Sequence, residues 1–171
     1  MSCIIDQGYL LGCATLGGVE KVWIGTWDID QSYAFNVCNT ITGVTSGITL
    51  YEIEQDIEYA GINQNGQFSR ENGSVFYESV LSLKFIELTC DLRNLIVALG
   101  RAPIFCVVKS NAGAYYAAGV ESAGRATAGV LSLGVALGDM NGATLEVTWK
   151  SANGIYLIEE SLIGTALPVA P

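Results

Sequence analysis

The side chains in this sequence that could do acid–base, nucleophilic or metal chemistry are few and poorly spaced for it. There is no histidine among the 171 residues, which removes the commonest general base and the commonest metal ligand together. Carboxylates remain, the closest pairs being Asp28 with Asp30 and Glu159 with Glu160. Glycoside hydrolysis needs two carboxyl groups facing each other across a cleft. Acids one or two positions apart read instead as a solvated surface. Asp139-Met140-Asn141-Gly142 has the opening of a calcium loop but lacks the alternating ligands and the closing glutamate, so it reads as a turn. The glycines between Gly124 and Gly138 lack the Lys-Ser/Thr ending of a phosphate-cradling loop. Asn72-Gly73-Ser74 fits a glycosylation sequon but, with no secretion signal, reads as a turn.

Thiols and aromatic rings complete the inventory. Cys3, Cys13, Cys38, Cys90 and Cys106 are odd in number and show no C-x-x-C spacing, which disfavours a disulfide framework or a zinc site and suggests buried, reduced thiols. Cys90 falls where a helix dipole could activate it, yet no base accompanies it. Trp23 and Trp27 share strand parity and are expected to face the same way. Together with Trp149, they read as core or subunit-interface anchors rather than a sugar platform. No catalytic residue, cofactor, metal or small-molecule substrate is implied, and the chain reads as non-enzymatic.

Charge and hydropathy narrow the partners. The net charge is −9, from 8 basic and 17 acidic residues. The basic ones (Lys21, Arg70, Lys84, Arg93, Arg101, Lys109, Arg125 and Lys150) are scattered, where phosphate binding needs a cluster. An acidic surface repels DNA and favours solubility. Half of the residues are apolar, only 15% are charged and mean hydropathy is +0.39, so some apolar surface is expected to face partner chains. No run approaches the ~18 apolar residues of a membrane span. Leu10-Leu11-Gly12-Cys13 looks like a lipoprotein box, but Asp6 precedes it and no basic region does. The expectation is a soluble, unprocessed chain that begins at Met1.

The elements that must position these residues are mostly strands. Ala143, Leu145, Val147 and Trp149 alternate with polar residues up to Lys150, and from Val75 to Leu88 the residues Tyr77, Leu81, Leu83 and Phe85 fall on one face. Further strands are expected over 21–28, 48–53, 57–62, 103–109, 114–120, 129–137 and 155–159. Asn65-Gly66, Asn72-Gly73, Asn141-Gly142, Asn153-Gly154 and Asn111-Ala112-Gly113 predict tight hairpin turns. One segment has helical spacing: Leu92, Leu95, Ile96 and Leu99, with Thr89 as cap, Asp91 in the first turn and Gly100 as a left-handed stop, predict a helix over about 90–99. The fold class is mainly β, an antiparallel sandwich or barrel with one short helix. A single domain spans 1–171, with an N-terminal arm over about 1–18 and an extended, uncharged tail over about 163–171. Termini that are ordered need something to dock on, so the tail residues Ile163, Leu167, Pro168 and Val169 join Trp23 and Trp27 as candidate interface residues.

Several stretches resemble virion structural proteins of tailed phages, tail-tube subunits in particular. Gly17–Asp28 is similar to their opening strand after a glycine-rich lead. Phe76-Tyr77-Glu78 and the helix bearing Arg93-Asn94 look like their central strand and helix, and Gly113-Ala114-Tyr115-Tyr116 with Gly138–Leu145 match a later segment. The likeness covers about residues 17–150. After the last strand it departs, the family's glutamate-rich segment being reduced to Glu159 and Glu160. The resemblance implies a tail-tube-like fold in a virion protein made in the host cytoplasm. It implies homo-oligomeric, hexameric rings that join sheets into a continuous inner barrel and stack as a tube among other virion proteins. DNA would pass an acidic lumen without specific binding. The N-terminal arm, Asp28–Gly47, Asn63–Ser74 and the tail would make the stacking contacts. A neck, ring or tail-terminator protein is the alternative of the same fold, and a capsid-decorating or carbohydrate-binding adhesion module the alternative of another class.

Overall fold

The computed structural model describes residues 16–170 apart from positions 46, 57, 70, 72, 137, 138 and 140. The expected N-terminal arm therefore lies almost wholly outside the described residues. In chain order the elements are β1 Val19–Thr26, β2 Tyr33–Phe35, β3 Ile41–Val44, β4 Leu50–Ile53, β5 Ala60–Ser69, β6 Ser74–Ile86, α1 Cys90–Arg101, β7 Ile104–Ser110, β8 Tyr115–Ala118, β9 Arg125–Ser132, β10 Gly142–Ser151, β11 Tyr156–Leu157 and β12 Val169–Ala170, with a short 3-10 turn at Glu160–Leu162.

The period-two stretches pair with each other. β6 and β10 match residue for residue from Tyr77↔Ser151 to Ile86↔Gly142, which puts Leu81, Leu83 and Phe85 beside Ala143, Leu145, Val147 and Trp149 on one buried face. β5 and β9 flank them in a four-stranded sheet ordered β5-β6-β10-β9. Against that face packs a six-stranded sheet ordered β11-β8-β7-β1-β4-β12, which contributes Val22, Ile24, Ile53, Ile104, Cys106 and Val108 to the same core. The mainly β class with one helix is thus as expected. Two sheets lie face to face, and no barrel closes among the described residues.

β7 has no alternation: Ile104, Phe105, Cys106, Val107 and Val108 are all buried, the signature of a strand covered on both faces. The second cover was not anticipated. A small hairpin of β2 and β3, together with the C-terminal segment, lies over the back of the six-stranded sheet. It encloses a second core of Trp23, Ile41, Ile48, Leu50, Phe105, Val107, Ala117, Ile158 and Leu167. Trp149 ties the layers differently: its ring is buried in the first core while its indole N–H donates to the Ile104 carbonyl at 2.9 Å, satisfying the one polar atom that burial would otherwise strand.

Several local expectations shift. The helix starts as read, the Thr89 side chain accepting from the Leu92 amide at 3.2 Å, but Gly100 lies inside it and is not the stop. The helix runs to Arg101 and Ala102 caps it in extended conformation, because Pro103 follows and disfavours helical geometry in the residue before it. Gly73, Gly113 and Gly154 do take positive φ in turns. Asn65-Gly66, however, sits mid-strand opposite Glu78 and Tyr77, so β5 runs on until Ser69 pairs with Ser74. Gly142 opens β10 where any Cβ would strike the Phe85 carbonyl; it is there for close approach and not for a turn.

Candidate assembly surface

The sequence-derived candidates separate into core and surface. Trp23 is only 6% exposed and stacks on Tyr115 with ring centroids 6.2 Å apart. Trp27 is half-buried and packs on the same second core, so the two rings do share a side, within this chain's own interior. Trp149 is buried as well. None of the three offers the open aromatic platform a sugar would need. The tail also docks on its own body: Leu167 is fully buried, Ile163 is partly buried, the Leu50 amide donates to the Pro168 carbonyl at 2.8 Å, and Val169 pairs in parallel with Leu50. Leu167 is thus a core residue here. Of the four candidate tail residues, Pro168 and Val169 remain exposed.

The candidate acids are occupied in local structure. Asp28 accepts from the Asp30 amide at 3.0 Å, which makes the pair a turn. Glu160 accepts from the Tyr115 hydroxyl at 2.7 Å; that bond, with some burial, pushes the tyrosine up to about 12. Asp139 accepts from the Val135 and Ala136 amides, each at 2.8 Å, and these two bonds hold its carboxyl below the usual range. Its loop is closed by its own backbone, as a turn fragment would be. Among the described residues no group of three or more metal-ligating side chains converges, and no helix is long and apolar enough to cross a membrane. The thiols differ from expectation: Cys106 is buried and its pKa raised by that burial, but Cys38 and Cys90 are exposed, because one lies in the β2–β3 turn and the other at the first position of the helix.

What the fold leaves open is backbone at strand edges. An unpaired edge offers a row of N–H and C=O groups to any other strand, and proteins blunt edges with short strands, charges or proline. The six-stranded sheet is blunted by length: its edges, β11 and β12, are two residues each. The four-stranded sheet is not. β5 is ten residues long and carries no charge, and β9 is eight residues long with Arg125 at its first position as its single charge. Exposed apolar side chains gather on the end of β9 and just after it: Val130, Leu131, Leu133 and Val135. The β5–β6 hairpin also runs three pairs past the end of β10, Gln67↔Phe76 to Ser69↔Ser74, lifting exposed Phe68, Val75 and Phe76 clear of the body.

The face of this sheet turned away from the core follows from the register. It presents Asn63, Asn65, Gln67, Ser82, Thr144 and Thr148 with Glu78, Lys84, Arg125, Glu146 and Lys150. Glu78 and Lys150 pair at 3.4 Å and Lys84 lies over the Tyr59 ring at 4.4 Å. Two carboxylates against three cations do not make an acidic wall; the face has its charges nearly balanced, and exposed Ile86 and Val130 add apolar side chains to it. The sequence signal for the β9 edge was present in the unbroken uncharged run between Arg125 and Asp139. A strand was expected over 129–137, but nothing in one sequence says which strand ends up at an edge.

Comparison with protein-family models, with curated proteins and with solved structures returned no match.

Proposed function

We propose that this chain is a non-enzymatic virion structural protein that assembles with copies of itself, as a ring-forming subunit of a phage tail tube. One observation carries the assembly half of this reading: the four-stranded sheet has two long and almost uncharged edges, in a protein whose other sheet has both edges cut to two residues. Around the sheet β5, β6, β10 and β9 alternate in direction, so β9 of one copy meets β5 of the next antiparallel and the sheet continues without a break. Head-to-tail contacts of this kind close into a ring when the rotation allows it. The protruding β5–β6 hairpin, which overlaps the Asn63–Ser74 segment, supplies an apolar contact for a neighbour along the stack. "Tube", as opposed to neck or terminator ring, rests on the family resemblance of the sequence.

Negative-stain microscopy of the purified full chain tests it. Open-ended tubes with a central channel are the expected result. Single rings move the chain to a neck or terminator position, and particles that stay monomeric at high concentration contradict the proposal. A glycan-binding module has less to stand on, because Trp23 and Trp149 are held in the core.

A further inference from the structure

Near the tip of the β5–β6 hairpin an aromatic ring is held in place and left uncovered. Phe68 is 69% exposed. Its ring meets the Tyr77 ring edge-on, with centroids 6.0 Å apart, and lies over Gly66, where any Cβ would strike it. A side chain fixed in this way loses little freedom on docking. Val75 pairs with Phe68 beyond the end of β10 and is exposed beside it. The opposite end of the same sheet holds an open groove of about 450 Å3, lined by Leu88, Thr89, Cys90, Arg93, Leu131 and Leu133. Its walls are largely apolar. Arg93, exposed and without an ion pair among the described residues, is a cation suited to the face of an aromatic ring.

The ladders place the two features. β6 leaves the hairpin at Ser74 and ends beside the groove, since Leu131 pairs with Ala143 and Ala143 with Phe85. Both lie on the core-facing side of the sheet: Phe68 shares strand parity with buried Ala60, and Ala143, the partner of Leu131, is buried too. Resting on the ring and stack proposed above, we infer that Phe68 and Val75 of one copy dock in the groove between α1 and the end of β9 of a copy in the next ring. Edge pairing sets β9 of one copy beside β5 of its ring neighbour. The groove therefore stands one strand spacing, about 4.8 Å, from that neighbour's β5 line. A hairpin arriving along that line from the next ring meets the junction between the two copies on the side where the groove lies, and aromatic side chains reach across adjacent strands. Each hairpin thus touches the copy beside the one it stands beneath, which fixes the rotation of one ring on the next. The two surfaces differ and lie at opposite ends of the sheet, so the contact repeats without closing and builds an open stack.

A cross-link tests the contact. Val75→Cys puts a thiol on the hairpin, and Cys90 is an exposed thiol in the groove. Within one chain the length of β6 separates them, on the order of 40 Å, too far for a short bismaleimide, so a link between them joins two copies. The assembled full-length variant, treated with the reagent, is expected to give covalent multimers on a denaturing gel that neither the unmodified chain nor Val75→Cys, Cys90→Ser gives. In a second arm, Phe68→Ser is expected to form single rings where the unmodified chain forms tubes under negative stain. Circular dichroism melting confirms that each variant stays folded. Equal multimers from all three proteins, or Phe68→Ser tubes of unchanged length, overturn the hairpin contact and leave edge pairing standing. So do single rings from the unmodified chain. An unmodified chain that never assembles removes the reading on which the inference rests.

Discussion

Glu121 lies on the link between β8 and β9 and collects four hydrogen bonds: the Tyr156 hydroxyl at 2.6 Å, the Asn153 side-chain amide at 2.5 Å, and the Ala152 and Asn153 backbone amides at 2.8 and 3.4 Å. Partial burial works to raise its pKa, but those donors outweigh it and leave the carboxyl below its ordinary value. Tyr156, by burial first and then by the same bond, is pushed up to about 12. A carboxyl that titrates lower when folded than when unfolded adds stability that is complete above the unfolded value, about 4.3 for glutamate. That stability is lost as pH falls through the folded one. Glu121→Gln should therefore lower stability at pH 7 by about 1 kcal/mol, the figure for a solvent-screened network, or about 3 °C in melting temperature. The two melting curves should converge as pH falls below 4; parallel curves down to pH 3 would contradict the role. A second residue-level outcome concerns Gly124, where any Cβ would meet the Trp149 indole. Gly124→Ala is expected to cost about 2 kcal/mol by overpacking, read as a shift in urea midpoint. Neither site was legible in the sequence, because the partners of Glu121 lie 31 to 35 residues away and Trp149 reaches Gly124 only across the sheet.

At the scale of elements the outcome divides by mechanism. Where one face is buried and the other solvated, alternation is written into the residues, so β6 and β10 were readable with their faces and the helix with its Thr89 cap. Where both faces are buried, as along β7, period two disappears, and with it any sign that a further layer exists. The short strands β2, β3 and β12 are held by tertiary packing rather than by their own pattern; the only cue was apolar residues such as Ile41 and Leu167 in stretches read as loop and tail. The Asn-Gly pairs predicted turns at 72–73 and 153–154, but Asn65-Gly66 was overridden because β6 offers a continuous pairing partner on its far side. The tail shows the consequence most directly. Leu167 fills the second core beside Leu50 and Phe105, so Leu167→Ala should cost about 3 kcal/mol and lower the melting temperature of the isolated subunit. An unchanged melting temperature with impaired assembly would return the tail to the purely intermolecular role first read for it.

For the whole molecule, the sequence's high apolar content now has an address. Of its exposed large apolar side chains, Val130, Leu131, Leu133 and Val135 gather on and after β9, and Phe68, Val75 and Phe76 at the tip of the β5–β6 hairpin. The absence of histidine and of any converging constellation in the sequence argued against chemistry, but only the sheet order says which backbone is left unpaired. A lysine on an exposed edge is the ordinary means of keeping strands apart. Ala128 and Val130 pair with Glu146 and Thr144, so they point away from the core and can carry it without disturbing the fold. The most direct test is the molar mass, by light scattering, of the unmodified chain beside the Ala128→Lys, Val130→Lys variant, both checked for equal melting temperature. The account predicts a large multiple of the 18.1 kDa chain for the first and the monomer mass for the second. Equal masses for the two folded proteins would contradict assembly through this edge.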